Sequence, residues 1–433
     1  MKTVCLYSAQ LHFTGGIESV VRDLYALLPA NGIRVVAACE YGRPAWIRDE
    51  DFLCLDGLSP AERLSRWDDA VARWQPDCVV IQHTIDDRIC ADVAHLRERG
   101  VRCAKMMHSP FDEALLEPEC ERDWAATGRQ ARLCGTVFTV SRADAQWWTA
   151  LGFPAIKIQN PIRVPARTAK TAVVARDPSA PLNVLWVGRA STRKQPAAAV
   201  EAVARAAAKG ANLRLTMIGG GAKCWKDCRR LAKRLGVADR VTCLPSRPNI
   251  DDLWSAADVH LFTSTTESFG LVLAEAKASG VPTVMFDLPT SDLAQAKGGV
   301  VAVPPGDLDG MVDALVRLAA DRALCAKLGE EARASLAGFD AAHVVADWRA
   351  ALRALETGEG FAVASDDARL FARQIAFGWK HYCDRNLWLM EMEGDANRFC
   401  FSFRPLASLL RRAVTLAQAF KAWRRRMAVW FAV

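Results

Sequence analysis

The chain has 433 residues and a formal net charge of +7, with 51% hydrophobic and 24% charged residues. This length is too great for one ordinary domain and suits two, each with its own core. The composition is that of a soluble globular protein. There is no run of eighteen apolar residues, and no basic-then-apolar leader precedes the first strand-like run. We therefore expect neither a membrane-spanning helix nor a secretory signal.

The basic excess is confined to the last thirty residues. Residues 404–433 contain seven Lys/Arg and no Asp/Glu, which leaves 49 basic against 49 acidic residues in the rest of the chain. An apolar stripe from Leu406 to Trp430 runs beside these arginines. The pattern predicts a helix on an anionic membrane surface. A helix packed on its own domain is the main alternative, and we expect no nucleic-acid partner.

The fourteen cysteines are scattered, and several lie in apolar runs. With no export signal, this indicates reduced core residues of a cytoplasmic protein. We expect any membrane contact to be peripheral and to involve the tail. Cys224 and Cys228 are one helical turn apart and could supply half of a metal site. No second pair with ligand spacing accompanies them, so we assign no metal.

Strand-like apolar runs alternate with helical patterns, which predicts parallel sheets built of β-α units. We expect strands of a first domain at residues 3–8, 34–39, 78–82, 101–106, 137–141 and 156–161. Gly15-Gly16-Ile17-Glu18 separates the first strand from an amphipathic helix. Paired glycines allow a backbone to approach a phosphate, although alone they indicate only a turn.

Residues 163–181 are rich in Ala, Pro and Thr and lack periodicity, as is typical of a linker. The predicted domains are therefore 1–162 and 182–355, followed by a helical extension at 356–433. His108 follows the strand at 101–106. It could be a core histidine, but ligands collect at the carboxyl ends of parallel strands.

The second domain opens with a strand at residues 182–187 and then Gly188, Arg189 and Lys194. Arginine and lysine five residues apart, ahead of a helix, can bind a diphosphate, although a solvated basic turn has the same composition. Strands at 213–219, 241–245 and 299–304 follow, the second leading to Arg247. Asp307 and Asp309 resemble a metal-binding Asp-x-Asp, but their position before a helical run favours helix capping.

The most informative stretch lies between two predicted strands, 258–263 and 280–286. Glu267 precedes Ser268-Phe269-Gly270, and a helix of about three turns follows, with Glu275 within it and Gly280 at its end. A strand, a glycine turn and a helix aim free N–H groups at one point, where an anion can bind. The two carboxylates would flank that anion, and each can accept paired hydrogen bonds from neighbouring hydroxyls.

Glu267 and Glu275 with seven residues between them, and Phe269-Gly270 after the first, resemble the signature of the retaining glycosyltransferases of family 4. These group 1 enzymes have the GT-B fold, an α/β architecture of two doubly wound Rossmann-like domains facing across a cleft. The resemblance covers residues 1–355. The site residues that it implies are Gly15, Gly16, His108, Arg189, Lys194, Arg247, Glu267, Ser268, Phe269, Gly270, Leu271 and Glu275.

The resemblance also implies roles. Gly15 and Gly16 face the donor phosphates and the acceptor, His108 reaches the transferred sugar, and Arg189 and Lys194 bind the leaving diphosphate. The Arg247 loop holds the base, the amides of 268–271 assist the diphosphate, Glu267 holds the sugar and Glu275 holds the ribose. The sequence departs from the family at Asn160-Pro161, where Asn-Gly is common, and at Gln195, where a glycine is usual.

The implied reaction moves a hexose-type sugar from a nucleotide diphosphate sugar, UDP-linked by preference, to a saccharide or lipid-linked acceptor. Anomeric configuration is retained, no cofactor is needed, and synthesis of bacterial cell-envelope polysaccharide or lipopolysaccharide is the expected setting. Two alternatives stay open. One is a non-catalytic nucleotide-sugar-binding subunit, and the other is a nucleotide-sugar epimerase or hydrolase on the same fold.

Overall fold

A computed structural model describes residues 1–12, 15–82, 87–111, 121–163, 180–189, 191 and 193–360. The helices are α1 (Gly16–Leu27), α2 (Pro60–Trp74), α3 (Asp87–Glu98), α4 (Glu121–Cys134), α5 (Arg142–Ala150), α6 (Pro196–Ala208), α7 (Ala222–Arg234), α8 (Asp251–Ala256), α9 (Leu271–Ala278), α10 (Asp292–Gln295), α11 (Leu308–Ala320), α12 (Arg322–Ala334) and α13 (Ala341–Thr357). Short 3-10 helices lie at Pro29–Asn31, Asp49–Asp51 and Ala238–Arg240.

A seven-stranded parallel sheet forms the first half of the described chain. Its strands are β1 (Lys2–Gln10), β2 (Ile33–Tyr41), β3 (Phe52–Cys54), β4 (Cys78–Ile81), β5 (Arg102–Met107), β6 (Val137–Thr139) and β7 (Ala155–Lys157), in the order β3-β2-β1-β4-β5-β6-β7. Its central strands are buried on both faces, because helices cover both sides of a parallel sheet. The sequence therefore shows them as continuous apolar runs.

A six-stranded parallel sheet forms the second half. Its strands are β8 (Leu182–Val187), β9 (Leu213–Ile218), β10 (Val241–Leu244), β11 (Val259–Phe262), β12 (Thr283–Phe286) and β13 (Val300–Val303), in the order β10-β9-β8-β11-β12-β13. The expectation of two parallel α/β sheets is confirmed. Of the described strands, β3 has no counterpart among the predicted ones.

Helix α13 packs against the first sheet, although it follows the second in sequence. The indole of Trp348 meets Phe138 edge-on at 6.3 Å between ring centroids. The Asp347 carboxylate accepts hydrogen bonds from the Gln159 backbone N–H at 2.9 Å and from the Lys157 ammonium at 3.1 Å. This return of the chain joins the two halves at the end of β7.

None of the described helices combines the length and apolarity that crossing a bilayer requires. The predicted membrane-binding tail at 404–433 and most of the predicted linker lie outside the described residues.

Candidate functional site

Most of the predicted site residues, with the exception of His108 and Arg247, follow the strands at which the strand order of each sheet reverses. In the second sheet β8 lies beside β11, with β9 and β10 on the β8 side and β12 and β13 on the β11 side. Such a reversal leaves a crevice at the carboxyl ends of the two central strands. Arg189 and Lys194 follow β8, and Glu267 follows β11. In the first sheet the equivalent point is between β1 and β4.

The segment from Glu267 to α9 has the geometry of an anion site. Gly270 adopts a left-handed conformation with φ of 83°, which glycine tolerates and which sets the direction of α9. Phe269 is buried and contacts Phe339, so the turn is anchored in the core. Helix α9 is shorter than predicted: it spans eight residues, ending at Ala278, because Gly270 and Ser279 lie outside it as caps.

Lys194 and Glu267 form an ion pair within the site. Their side chains are only 16% and 12% exposed. Burial by itself would raise the pKa of the Glu267 carboxyl, but the charges of Lys194 and Arg193 outweigh it and lower that pKa. The Lys194 ammonium also lies 5.3 Å from the centre of the Phe262 ring. The predicted cation and the first predicted carboxylate are therefore brought together.

The turn after Lys194 explains why a glycine would fit there. Gln195 has φ of 45°, a left-handed conformation that costs a residue with a Cβ roughly 1 kcal/mol. The Thr263 hydroxyl lies 2.7 Å from the Lys194 carbonyl oxygen and 3.1 Å from that of Gln195, so it stabilises the turn. Glutamine in place of the usual glycine at position 195 therefore raises the conformational free energy of this turn and leaves its backbone conformation unchanged.

The other two predicted basic residues have different surroundings. Arg189 follows Gly188 with an exposed side chain, and it forms no ion pair with any residue the structure describes. Arg247 instead pairs with Asp252 at the start of α8, at 2.6 Å. Arg193 was not predicted, yet its charge acts on Glu267.

Glu275 lies half-buried on α9, beside Trp254 of α8. The Trp254 indole N–H donates to the Glu275 carboxylate at 3.3 Å. Burial raises the pKa of this carboxyl, against the opposing effects of Trp254 and Arg163. The remaining acceptor positions of the carboxylate suit a pair of hydroxyl groups.

The first domain contributes a glycine turn and a histidine. A Cβ on Gly15 would lie 2.2 Å from a carboxylate oxygen of Glu18, so a larger residue there would require the Glu18 side chain to move. A Cβ on Gly16 would lie 3.4 Å from the Leu271 side chain, which places the start of α1 against the start of α9. The His108 ring nitrogen Nε2 donates to the Gln82 side-chain oxygen at 2.7 Å. Gln82 was missed, although it ends the strand run beside that of His108.

The Ser268 hydroxyl lies at the predicted anion site. Its side chain is 2% exposed, and its hydroxyl has no hydrogen-bond partner in the described part of the chain. Other buried hydroxyls of the described residues, such as those of Ser8 and Ser279, also lack a partner, so the Ser268 hydroxyl is available to a ligand oxygen without by itself indicating one.

The predicted capping role of Asp307 is confirmed, since its carboxylate accepts the Gly310 N–H at 2.8 Å. The capping prediction is wrong for Asp309, which forms a surface ion pair with Arg205 and does not cap the helix. Cys224 and Cys228 have sulfurs 4.0 Å apart on α7. Within the described ranges, no group of three or more His, Cys, Asp or Glu could hold a metal ion.

The sequence and the fold were compared with known protein families and solved structures. Residues 181–321 match the family model described as "Glycosyl transferases group 1". This match supports a group 1 glycosyltransferase. A D-inositol 3-phosphate glycosyltransferase of Nocardia farcinica is 34% identical over 186 residues, which are 41% of this chain and 41% of that protein. The alignment thus spans about two fifths of the curated relative.

Solved structures resemble the chain over most of its length. Anabaena Alr3699/HepE in complex with UDP-glucose has a TM-score of 0.64 at 17% identity, covering 81% of this chain and 99% of that one. The lipopolysaccharide outer core galactosyltransferase WaaB has a TM-score of 0.62 at 18% identity, covering 82% and 99%. The fold is therefore that of the GT-B glycosyltransferases.

Proposed function

We propose that the chain is a retaining glycosyltransferase that moves a hexose-type sugar from a nucleotide diphosphate sugar to a hydroxyl acceptor. The observation that carries this proposal is the arrangement around α9. A glycine-led helix start, the Lys194–Glu267 pair and the half-buried Glu275 lie on or next to the segments that follow β8 and β11, two neighbouring strands of the second sheet. A UDP-sugar is the favoured donor, since the similar HepE structure holds UDP-glucose.

The leaving diphosphate would bind to Arg189, Lys194 and the free amides at the start of α9. These groups stabilise the negative charge that develops as the bond from the anomeric carbon to the phosphate oxygen breaks. The acceptor oxygen forms its bond to the anomeric carbon on the same face and passes its proton to the departing phosphate oxygen. No protein nucleophile and no metal ion take part in this scheme.

The carboxylates and the histidine position the donor. Glu267 accepts hydrogen bonds from sugar hydroxyls, and Lys194 keeps it ionised for this task. Glu275 accepts from the two ribose hydroxyls. His108 contacts the transferred sugar from the first domain, with Gln82 fixing its ring orientation.

The acceptor we propose is a saccharide or a lipid-linked saccharide of the bacterial cell envelope. WaaB is a lipopolysaccharide galactosyltransferase by name, and it is one of the structures most similar in fold. A cytoplasmic enzyme bound to anionic lipid through residues 404–433 would meet such an acceptor at the membrane.

The experiment is a screen of nucleotide sugars, scored by release of the nucleoside diphosphate with and without envelope saccharide acceptors. A transferase releases it only when donor and acceptor are both present. Release without acceptor would identify a hydrolase, an altered sugar without release would identify an epimerase, and binding without turnover would identify a non-catalytic subunit. The anomeric configuration of the product, read by NMR, tests retention.

A further inference from the structure

Three consecutive residues after β12 connect the anion site to the other domain. The hydroxyl of Thr290 donates to the Glu267 carbonyl oxygen, and that of Ser291 donates to the Phe269 carbonyl oxygen, each at 2.9 Å. Both side chains are almost fully buried. Asp292, the next residue, contacts the first domain.

The two hydroxyls set the direction of the amides in the anion site. In a planar trans peptide the C=O and the N–H point to opposite sides. Holding the Glu267 carbonyl therefore turns the Ser268 N–H away from the 290–291 segment. Holding the Phe269 carbonyl does the same for the Gly270 N–H. Neither N–H donates to another residue in the parts of the chain that the structure describes.

Asp292 caps a helix of the opposite domain. Its two carboxylate oxygens each lie 3.3 Å from the backbone nitrogen of Arg142, the first residue of α5, and the Arg142 side chain also contacts it at 3.3 Å. A carboxylate there accepts an otherwise free N–H and complements the helix dipole. Helix α5 also has its own cap, because the Ser141 hydroxyl accepts the Asp144 N–H. The Asp292 contact is therefore additional, and it depends on the domains being together.

We infer that the Asp292–Arg142 contact couples closure of the two domains to diphosphate binding at the amides of residues 268–271. Residues 290 to 292 are consecutive, so a shift of Asp292 shifts the hydroxyls that orient these amides. Coupling of this kind is reciprocal: domain closure strengthens diphosphate binding, and diphosphate binding strengthens closure. The inference rests on the proposed function, since it takes the anion to be the donor diphosphate. Asp292 and Ser291 are positioning residues in this account.

The first test is calorimetric binding to the full chain of whichever of UDP, GDP and ADP binds the wild type best. Asp292→Ala should raise the dissociation constant about 5-fold or more. Asp321→Ala is the matched control, because it removes an aspartate cap that accepts the Leu324 N–H at 2.9 Å within the second domain alone. It should stay within about 2-fold of wild type, the scatter expected of a distant site. Melting curves of both variants establish that they are folded.

The second test asks whether the effect passes through the two hydroxyls. In a Thr290→Val/Ser291→Ala background, Asp292→Ala should weaken binding no further, since the connection is already broken. X-ray scattering should show the diphosphate compacting the wild type and failing to compact Asp292→Ala.

The outcomes separate the inference from the proposed function. Unchanged binding by folded Asp292→Ala, or losses that simply add in the triple variant, overturns the coupling and leaves the glycosyltransferase proposal standing. A wild type that binds none of the three diphosphates overturns both.

Discussion

Replacing Lys194 with methionine removes the charge facing Glu267 while keeping most of the side-chain volume. Breaking a fully buried ion pair costs about 3–5 kcal/mol of stability, and breaking an exposed one costs about 0–1 kcal/mol. With side chains 16% and 12% exposed, this pair lies between these limits, so we expect a loss of about 2 kcal/mol at pH 7. The loss should shrink at lower pH, because without Lys194 burial raises the Glu267 pKa and the carboxyl can protonate.

The effect on transfer should be larger. In the proposed mechanism Lys194 stabilises charge on the leaving diphosphate, and loss of one such contact costs on the order of 2–4 kcal/mol of barrier, or about 30- to 1,000-fold in rate. Nucleoside diphosphate release measures the rate, and urea unfolding at pH 7 and pH 5 measures the stability.

Two further variants separate charge from folding. Lys194→Met combined with Glu267→Gln removes the uncompensated charge, so stability should return while transfer stays low. Arg205→Ala breaks the exposed pair with Asp309 in the same domain, and neither stability nor rate should change by more than about 1 kcal/mol. A folded Lys194→Met enzyme with the wild-type rate would refute the assignment of Lys194 to the leaving group.

Four other predictions follow from the site and the core. Glu275→Ala should lower transfer about 30- to 1,000-fold with the fold intact, and a wild-type rate in the folded variant would contradict its role. Transfer should survive EDTA; abolition with rescue by manganese or magnesium would show a metal requirement. Burial lowers the pKa of His260 to about 3, so the unfolded chain gains a proton below about pH 6.5 that the folded chain does not. Wild type should therefore lose about 2 kcal/mol more than His260→Gln between pH 7 and pH 5 in urea unfolding, and parallel losses would exclude this. Deleting 404–433 should release the protein from anionic vesicles in a salt-dependent way and spare transfer to a soluble acceptor; an insoluble or early-melting truncation would instead favour a helix packed on its own domain.

The sequence by itself determined the elements and the type of site. Buried parallel strands need continuous apolar runs, and the turn at Gly270 needs a residue that tolerates positive φ. The residue types Lys194, Glu267 and Glu275 could also be identified from the sequence, because each lies in a local pattern of strand, glycine turn and helix. Their charge state depends on the surroundings, since burial raises the pKa of Glu275 and the charges of Lys194 and Arg193 lower that of Glu267.

The tertiary structure alone decided which of these groups meet. Lys194 pairs with Glu267 across 73 residues, and Asp292 reaches Arg142 across 150. Such contacts depend on strand order and on how the domains close. Many weak interactions along the whole chain determine both. Sequence reasoning therefore predicted Asp309 as a cap when it forms a surface pair, and it missed Gln82, Arg193, Trp254 and the 290–292 segment. Local preferences depend on a few neighbouring residues, whereas a contact between distant residues depends on the packing of everything between them.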